Sequence, residues 1–123
     1  MDELARLTAE LVAIDSVNPS LVAGGAGEGE IARFVADWLR RAGLDVEVLE
    51  PVAGRPSVVG VARGSGGGRS LMLNAHLDTV GVAGMDAPFS GRVEGERLYG
   101  RGALDMKGSL AAIMLAGREA AGR

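Results

Sequence analysis

The chain carries one histidine, two residues before an aspartate, in the run Leu71-Met72-Leu73-Asn74-Ala75-His76-Leu77-Asp78-Thr79-Val80. The residues ahead of it are apolar and strand-like. Side chains alternate faces along a strand, so His76 and Asp78 are expected to point the same way. An imidazole with a carboxylate beside it is the usual pairing at a metal site, the carboxylate holding the ring that binds the ion. A further acidic position, Asp105, follows in Gly100-Arg101-Gly102-Ala103-Leu104-Asp105-Met106-Lys107-Gly108. These two stretches hold the sharpest chemistry in the chain. It has no cysteine, which excludes disulfides and thiolate metal sites.

The elements that must position these residues can be read from periodicity. Leu4, Leu7, Leu11 and Ile14 form a helical stripe over Asp2 to Ile14, which Asn18-Pro19 breaks. Val22 to Gly29 is glycine-rich and reads as loop. A second helix is expected from Gly29 to Ala42, with Ile31, Phe34, Val35, Trp38 and Leu39 on one face and Gly43 after its end. Asp45 to Leu49 reads as a half-exposed strand and Ser57 to Ala62 as an apolar one. Gly64 to Gly68 reads as a hairpin turn into a buried strand, Ser70 to Leu77, which delivers His76 and Asp78 at its carboxyl end. Sites in open α/β sheets favour that end. Val93 and Leu98-Tyr99 flank a short exposed hairpin, and a helix is expected from about Met106 onward.

At 123 residues the chain is at most one domain, and 47% apolar residues predict a folded core rather than disorder. The net charge of −3 and only four aromatic residues argue against nucleic-acid binding. No apolar run has the length of a membrane span, and the acidic start Met1-Asp2-Glu3 is unlike a secretory signal. A cytoplasmic protein is therefore expected. The twenty glycines crowd partly around the two motifs, as where backbone must approach a site closely.

His76-Leu77-Asp78, then Ala87-Pro88-Phe89, then Leu98-Tyr99-Gly100-Arg101-Gly102-Ala103-Leu104-Asp105-Met106-Lys107-Gly108, in that order, strongly resemble the M20 family of zinc-dependent peptidases and amidohydrolases. The wording is most similar to its acetylornithine deacetylase and succinyl-diaminopimelate desuccinylase group. The resemblance implies an α/β fold, a three-layer αβα zinc-peptidase-like catalytic domain with a mixed sheet, of which residues 1–123 are the N-terminal portion. It implies that His76 binds one zinc ion, that Asp78 is the catalytic-site aspartate holding that imidazole, and that Asp105 bridges two metal ions. Two cations about 3.5–4 Å apart need such an anionic bridge. It also implies a cis peptide bond at Asp105-Met106. Zinc is the expected metal, with cobalt or manganese compatible with the same ligands.

Other family features have no counterpart here. The family's site uses a Glu-Glu pair, a further acidic ligand and a later histidine. This chain has no Glu-Glu pair, no second histidine, and only Glu119 as an acidic residue after Asp105. The family's lid and dimerisation domain is absent as well. The implied function of the parent protein is hydrolysis of an amide bond in an N-acyl amino acid or small peptide, with the 123-residue piece inactive alone. The rival reading is a non-catalytic remnant serving as a binding or assembly module. An incomplete sheet exposes an edge and an apolar face, so homo-oligomers are expected; no nucleic-acid or membrane partner is.

Blander readings compete at each position. Asp78 could simply close a turn, and Asp105 could cap the helix that follows. Lys107 reads as an exposed first-turn lysine and Arg101 as a brace within its loop. Gly102 to Ser109 has part of a phosphate loop's composition, but Lys107 precedes Gly108, the reverse of the required order. Gly64 to Gly68 lacks dinucleotide-loop spacing.

Overall fold

The computed structural model describes residues 1–123. The first helix, α1, spans Glu3–Val12 and starts where Asp2 accepts a hydrogen bond from the Ala5 amide at 2.8 Å. That carboxylate satisfies one of the free amides of the first turn. The second, α2, spans Gly29–Arg41 and buries Ile31, Ala32, Val35, Ala36 and Leu39, one stripe at helical spacing. Gly43 follows at φ 95°, a left-handed conformation that ends the helix and that a side chain would resist.

The chain then turns into β1, Asp45–Val52, paired antiparallel with β2, Arg55–Val61, in the register Asp45↔Val61 to Leu49↔Ser57. Helix α2 lies on this hairpin. The approach is close at Gly60, where an added Cβ would come within 2.9 Å of Leu39. A second small hairpin joins β3, Arg92–Glu94, to β4, Arg97–Tyr99. The last helix, α3, spans Gly108–Ala121 and packs against α1. The core is where the three helices meet: Leu7, Leu11 and Ile14, then Ile31, Val35 and Leu39, then Leu110, Ala111 and Met114.

Helices and strands are mixed, as expected, but the single mixed sheet is not present. The two sheets are separate antiparallel pairs. Ser70 to Leu77 forms no strand, and Gly64 to Gly68 does not fold it back onto β2. A strand is held by the ladder on its flanks. The nearest ladder-type contact is a parallel bridge between Val17 and Thr79, two residues beyond the segment's end. The segment's first apolar side chains stay uncovered, with Leu71 and Met72 each 84% exposed rather than buried, while Ala75 and Leu77 pack partly buried against the core.

Candidate functional site

The linker after α1 positions the histidine segment. Ser16 Oγ donates to the Leu77 carbonyl at 2.8 Å, the Thr79 amide donates to the Ser16 carbonyl at 2.9 Å, and the Asn18 amide donates to the Thr79 carbonyl at 2.9 Å. Ser16, Val17 and Thr79 are buried, so these bonds are shielded from water. Asn18 also turns its side chain to the site. Its Nδ2 donates to Asp78 Oδ2 at 2.8 Å, while its Oδ1 accepts from the Ser20 amide at 2.8 Å.

Asp78 in turn holds the imidazole. Its Oδ1 lies 3.2 Å from His76 Nδ1, and its own carbonyl oxygen lies 2.9 Å from the same nitrogen. The other ring nitrogen, Nε2, is 2.8 Å from Asp105 Oδ1. The His76 amide donates to Met106 Sδ at 3.4 Å. The two separated motifs thus meet, with the ring standing between two carboxylates. His76 and Asp78 do share a side, although no strand produces the arrangement. The Asp105–Met106 peptide bond is cis.

Partial burial disfavours the charged imidazolium. The hydrogen bond with Asp105, the Asp78 carbonyl and the two negative charges outweigh that, and the His76 pKa is raised above its ordinary value. The site is open: the His76 side chain is 44% and the Asp105 side chain 80% exposed.

Asp105 sits in the bend Ala103–Lys107 that leads into α3. It does not cap the helix, which starts at Gly108 with no side-chain cap. The bend depends on Gly102, at φ 85°, whose carbonyl accepts from the Lys107 amide at 2.7 Å. Lys107 is not an exposed first-turn lysine. It is 1% exposed, and its Nζ donates to the Leu11 carbonyl at 2.9 Å and the Ile14 carbonyl at 2.7 Å. Those acceptors lie at and just beyond the end of α1, where few amides remain to pair the carbonyls and the dipole favours a cation; the Leu11 carbonyl also accepts from the Ile14 amide at 3.2 Å. Burial pushes the ammonium down to about 8, partly offset by the charges of Asp15 and Glu30. The order in the buried pair of bonds runs lysine to carbonyl, so the ammonium is a structural clip rather than a surface charge. Arg101 braces its loop through Nε to the Gly81 carbonyl at 2.9 Å.

Sequence reasoning overlooked Asn18 and misplaced Lys107. Asn18-Pro19 registers only as a helix breaker, and a lysine at a helix start reads as exposed. The available signal lay in the type of residue: an asparagine can donate to a carboxylate and accept locally at once.

The donor chemistry fits a metal ion in part. A neutral imidazole oriented through its far nitrogen, facing a carboxylate, is a zinc-type pair. Yet no group of three or more histidine, cysteine, aspartate or glutamate side chains converges to hold an ion. The geometry therefore supplies two ligands, where catalytic zinc sites take three from protein. A hollow of about 380 Å³ between α2 and the first hairpin is shallow and lined by Arg33, Asp37, Arg40 and Glu50 among others. It contains none of the site residues, and the converging side chains are the better guide to chemistry. No helix is long and apolar enough to cross a membrane.

Residues 72–122 match the model of peptidase family M20/M25/M40. Over 118 residues the chain is 37% identical to a succinyl-diaminopimelate desuccinylase of Methylorubrum extorquens, covering 89% of this chain and 28% of that protein. It is 34% identical to a desuccinylase of the same name from Sphingopyxis alaskensis, over 89% of this chain and 29% of that protein. An N-formyl-4-amino-5-aminomethyl-2-methylpyrimidine deformylase of Halalkalibacterium halodurans is 31% identical over 94% of this chain and 27% of its own length. The chain thus spans between a quarter and a third of the curated relatives it matches.

Proposed function

The chain belongs to peptidase family M20/M25/M40, and from that premise we propose that it supplies one side of a metal-dependent amidohydrolase site. The observation that carries this is the convergence of two carboxylates, Asp78 and Asp105 from separated motifs, onto the His76 imidazole. The substrate class we assign is the amide bond of an N-acyl amino acid or small peptide. The three-layer αβα catalytic domain is the architecture we assign to the whole protein.

Two divalent ions, zinc in first place, would supply polarisation of the scissile carbonyl and activation of water. His76 offers the Nε2 lone pair once its proton is lost. Asp78 fixes the ring by accepting a hydrogen bond from Nδ1–H, and so selects the tautomer that leaves Nε2 free. Asp105 offers two oxygens, enough to span two cations. The general base is a glutamate outside these 123 residues, since no Glu-Glu pair is present. The chain alone is accordingly inactive.

In the full-length protein, His76→Ala and Asp105→Ala should each abolish hydrolysis of N-acyl amino acids. Retained activity in both variants would overturn the assignment. Measurable turnover by the purified 123-residue chain would refute the part that places the base elsewhere. A chain that binds no zinc, beside a full-length protein insensitive to both substitutions, would leave the binding-module reading in its place.

A further inference from the structure

Both halves of the site hang from the same short piece of backbone. The Lys107 ammonium bonds the carbonyls of Leu11 and Ile14 at the end of α1. Two residues later, Ser16 and Asn18 take the histidine segment through Leu77 and Thr79, and Asn18 takes the Asp78 carboxylate. Residues 11–18 therefore touch the Asp105 bend from one side and the His76 segment from the other. Neither site segment has a sheet to hold it, because Ser70 to Leu77 has no strand partner and Ala103–Lys107 is a bend. Something else must set the distance between His76 Nε2 and Asp105 Oδ1.

We propose that Lys107 and Asn18 are positioning residues that lock the Asp105 bend and the His76–Asp78 pair onto residues 11–18, so that this segment sets the separation of His76 and Asp105. The functional consequence rests on the reading of those two residues as metal ligands; the anchoring does not. Lys107 is suited to the task. It is buried to 1% exposure, its amide closes the bend through the Gly102 carbonyl, and its side chain fills the space beside Gly102. A buried, doubly bonded ammonium has few alternative placements, because moving it would leave the charge and the Ile14 carbonyl unpaired. Asn18 is suited for a different reason. Its amide group is used at both ends, to Asp78 and to Ser20, so it cannot rotate without losing one bond.

The test uses the 123-residue chain, zinc alone as the probe, and the single histidine as a built-in reporter. Lys107→Met and Asn18→Ala are compared with the unaltered chain by chelator competition for zinc and by the His76 ring-nitrogen NMR signals of the metal-free protein. Measurements are made at one pH and well below each melting temperature. The expected result is a zinc dissociation constant raised at least tenfold in both variants, with the ring signals moving toward those of a free imidazole. A purely structural lysine would lower the melting temperature and leave both readouts unchanged in the folded protein. Zinc affinity and ring signals equal to those of the unaltered chain, in folded Lys107→Met or in Asn18→Ala, overturn the proposal. Asn18 lies outside the core, so Asn18→Ala decides the matter if Lys107→Met does not fold. If the unaltered chain takes zinc no more tightly than His76→Ala, the metal reading fails instead, and the ring signals alone judge the anchor.

Discussion

Gly102→Ala isolates the geometry on which the Asp105 bend depends. Gly102 has φ 85°, and an added Cβ would sit 2.7 Å from Thr79 Cγ2 and 3.2 Å from Lys107 Cδ. Neither neighbour can swing away, as Thr79 is 2% and Lys107 1% exposed. The left-handed conformation costs a side-chain-bearing residue about 1–2 kcal/mol. Forcing a methyl into a packed site adds about 1–3 kcal/mol. The sum is about 2–5 kcal/mol, a large part of the roughly 6–18 kcal/mol expected for a chain of this size. Urea unfolding followed by circular dichroism, extrapolated linearly with a common slope, measures it. Gly64→Ala is the matched control: Gly64 has nothing within 4 Å of an added Cβ, and its change should stay within about 0.5 kcal/mol. If Gly102→Ala is as mild as Gly64→Ala, the bend is not wedged between Thr79 and Lys107 as described, and the account of how Asp105 is held is wrong.

The metal-free chain should show its one histidine titrating above the ordinary value of 6.5, read from the ring C–H signals. That raised value adds stability below the ordinary range, lost as pH rises through the folded pKa, and zinc affinity should climb over the same interval as the proton leaves. An unshifted titration, or one that survives Asp105→Asn unchanged, contradicts the carboxylate pairing. Lys107, lowered to about 8, has the opposite sign: the folded state holds its proton less tightly, so stability should rise from pH 8 toward 10.5, and Lys107→Met should remove that slope in denaturant titrations. Leu71 and Met72, each 84% exposed, with Leu104 at 94%, should drive self-association that Leu71→Glu with Met72→Lys abolishes. Sedimentation of the unaltered chain as a clean monomer at high concentration would count against this.

The three helices were legible because their burial follows a local rule. In α2, Ile31, Val35 and Leu39 recur at four-residue spacing, and Gly43 marks the stop. The β1–β2 pairing was half legible. Both strands were foreseen, but the turn between them is the short Ala53-Gly54 corner, and the glycine run at Gly64 to Gly68 is not a hairpin. Ser70 to Leu77 shows the limit of such reading. Its composition suits a strand, yet strand formation needs a neighbour, and composition does not provide one.

By itself the sequence determined the chemistry on offer: one imidazole, carboxylates at Asp78 and Asp105, no thiolate, and a motif order that identifies the family. Residue types and spacings are local properties, so they survive in the written chain. Only the tertiary structure decided that Asp105 meets His76 across twenty-nine positions at 2.8 Å, that Asn18 grips Asp78, and that Lys107 turns inward to bond the end of α1. Those contacts join residues far apart along the chain. They depend on where α1, the linker and the bend come to rest against one another, and packing rather than periodicity sets that.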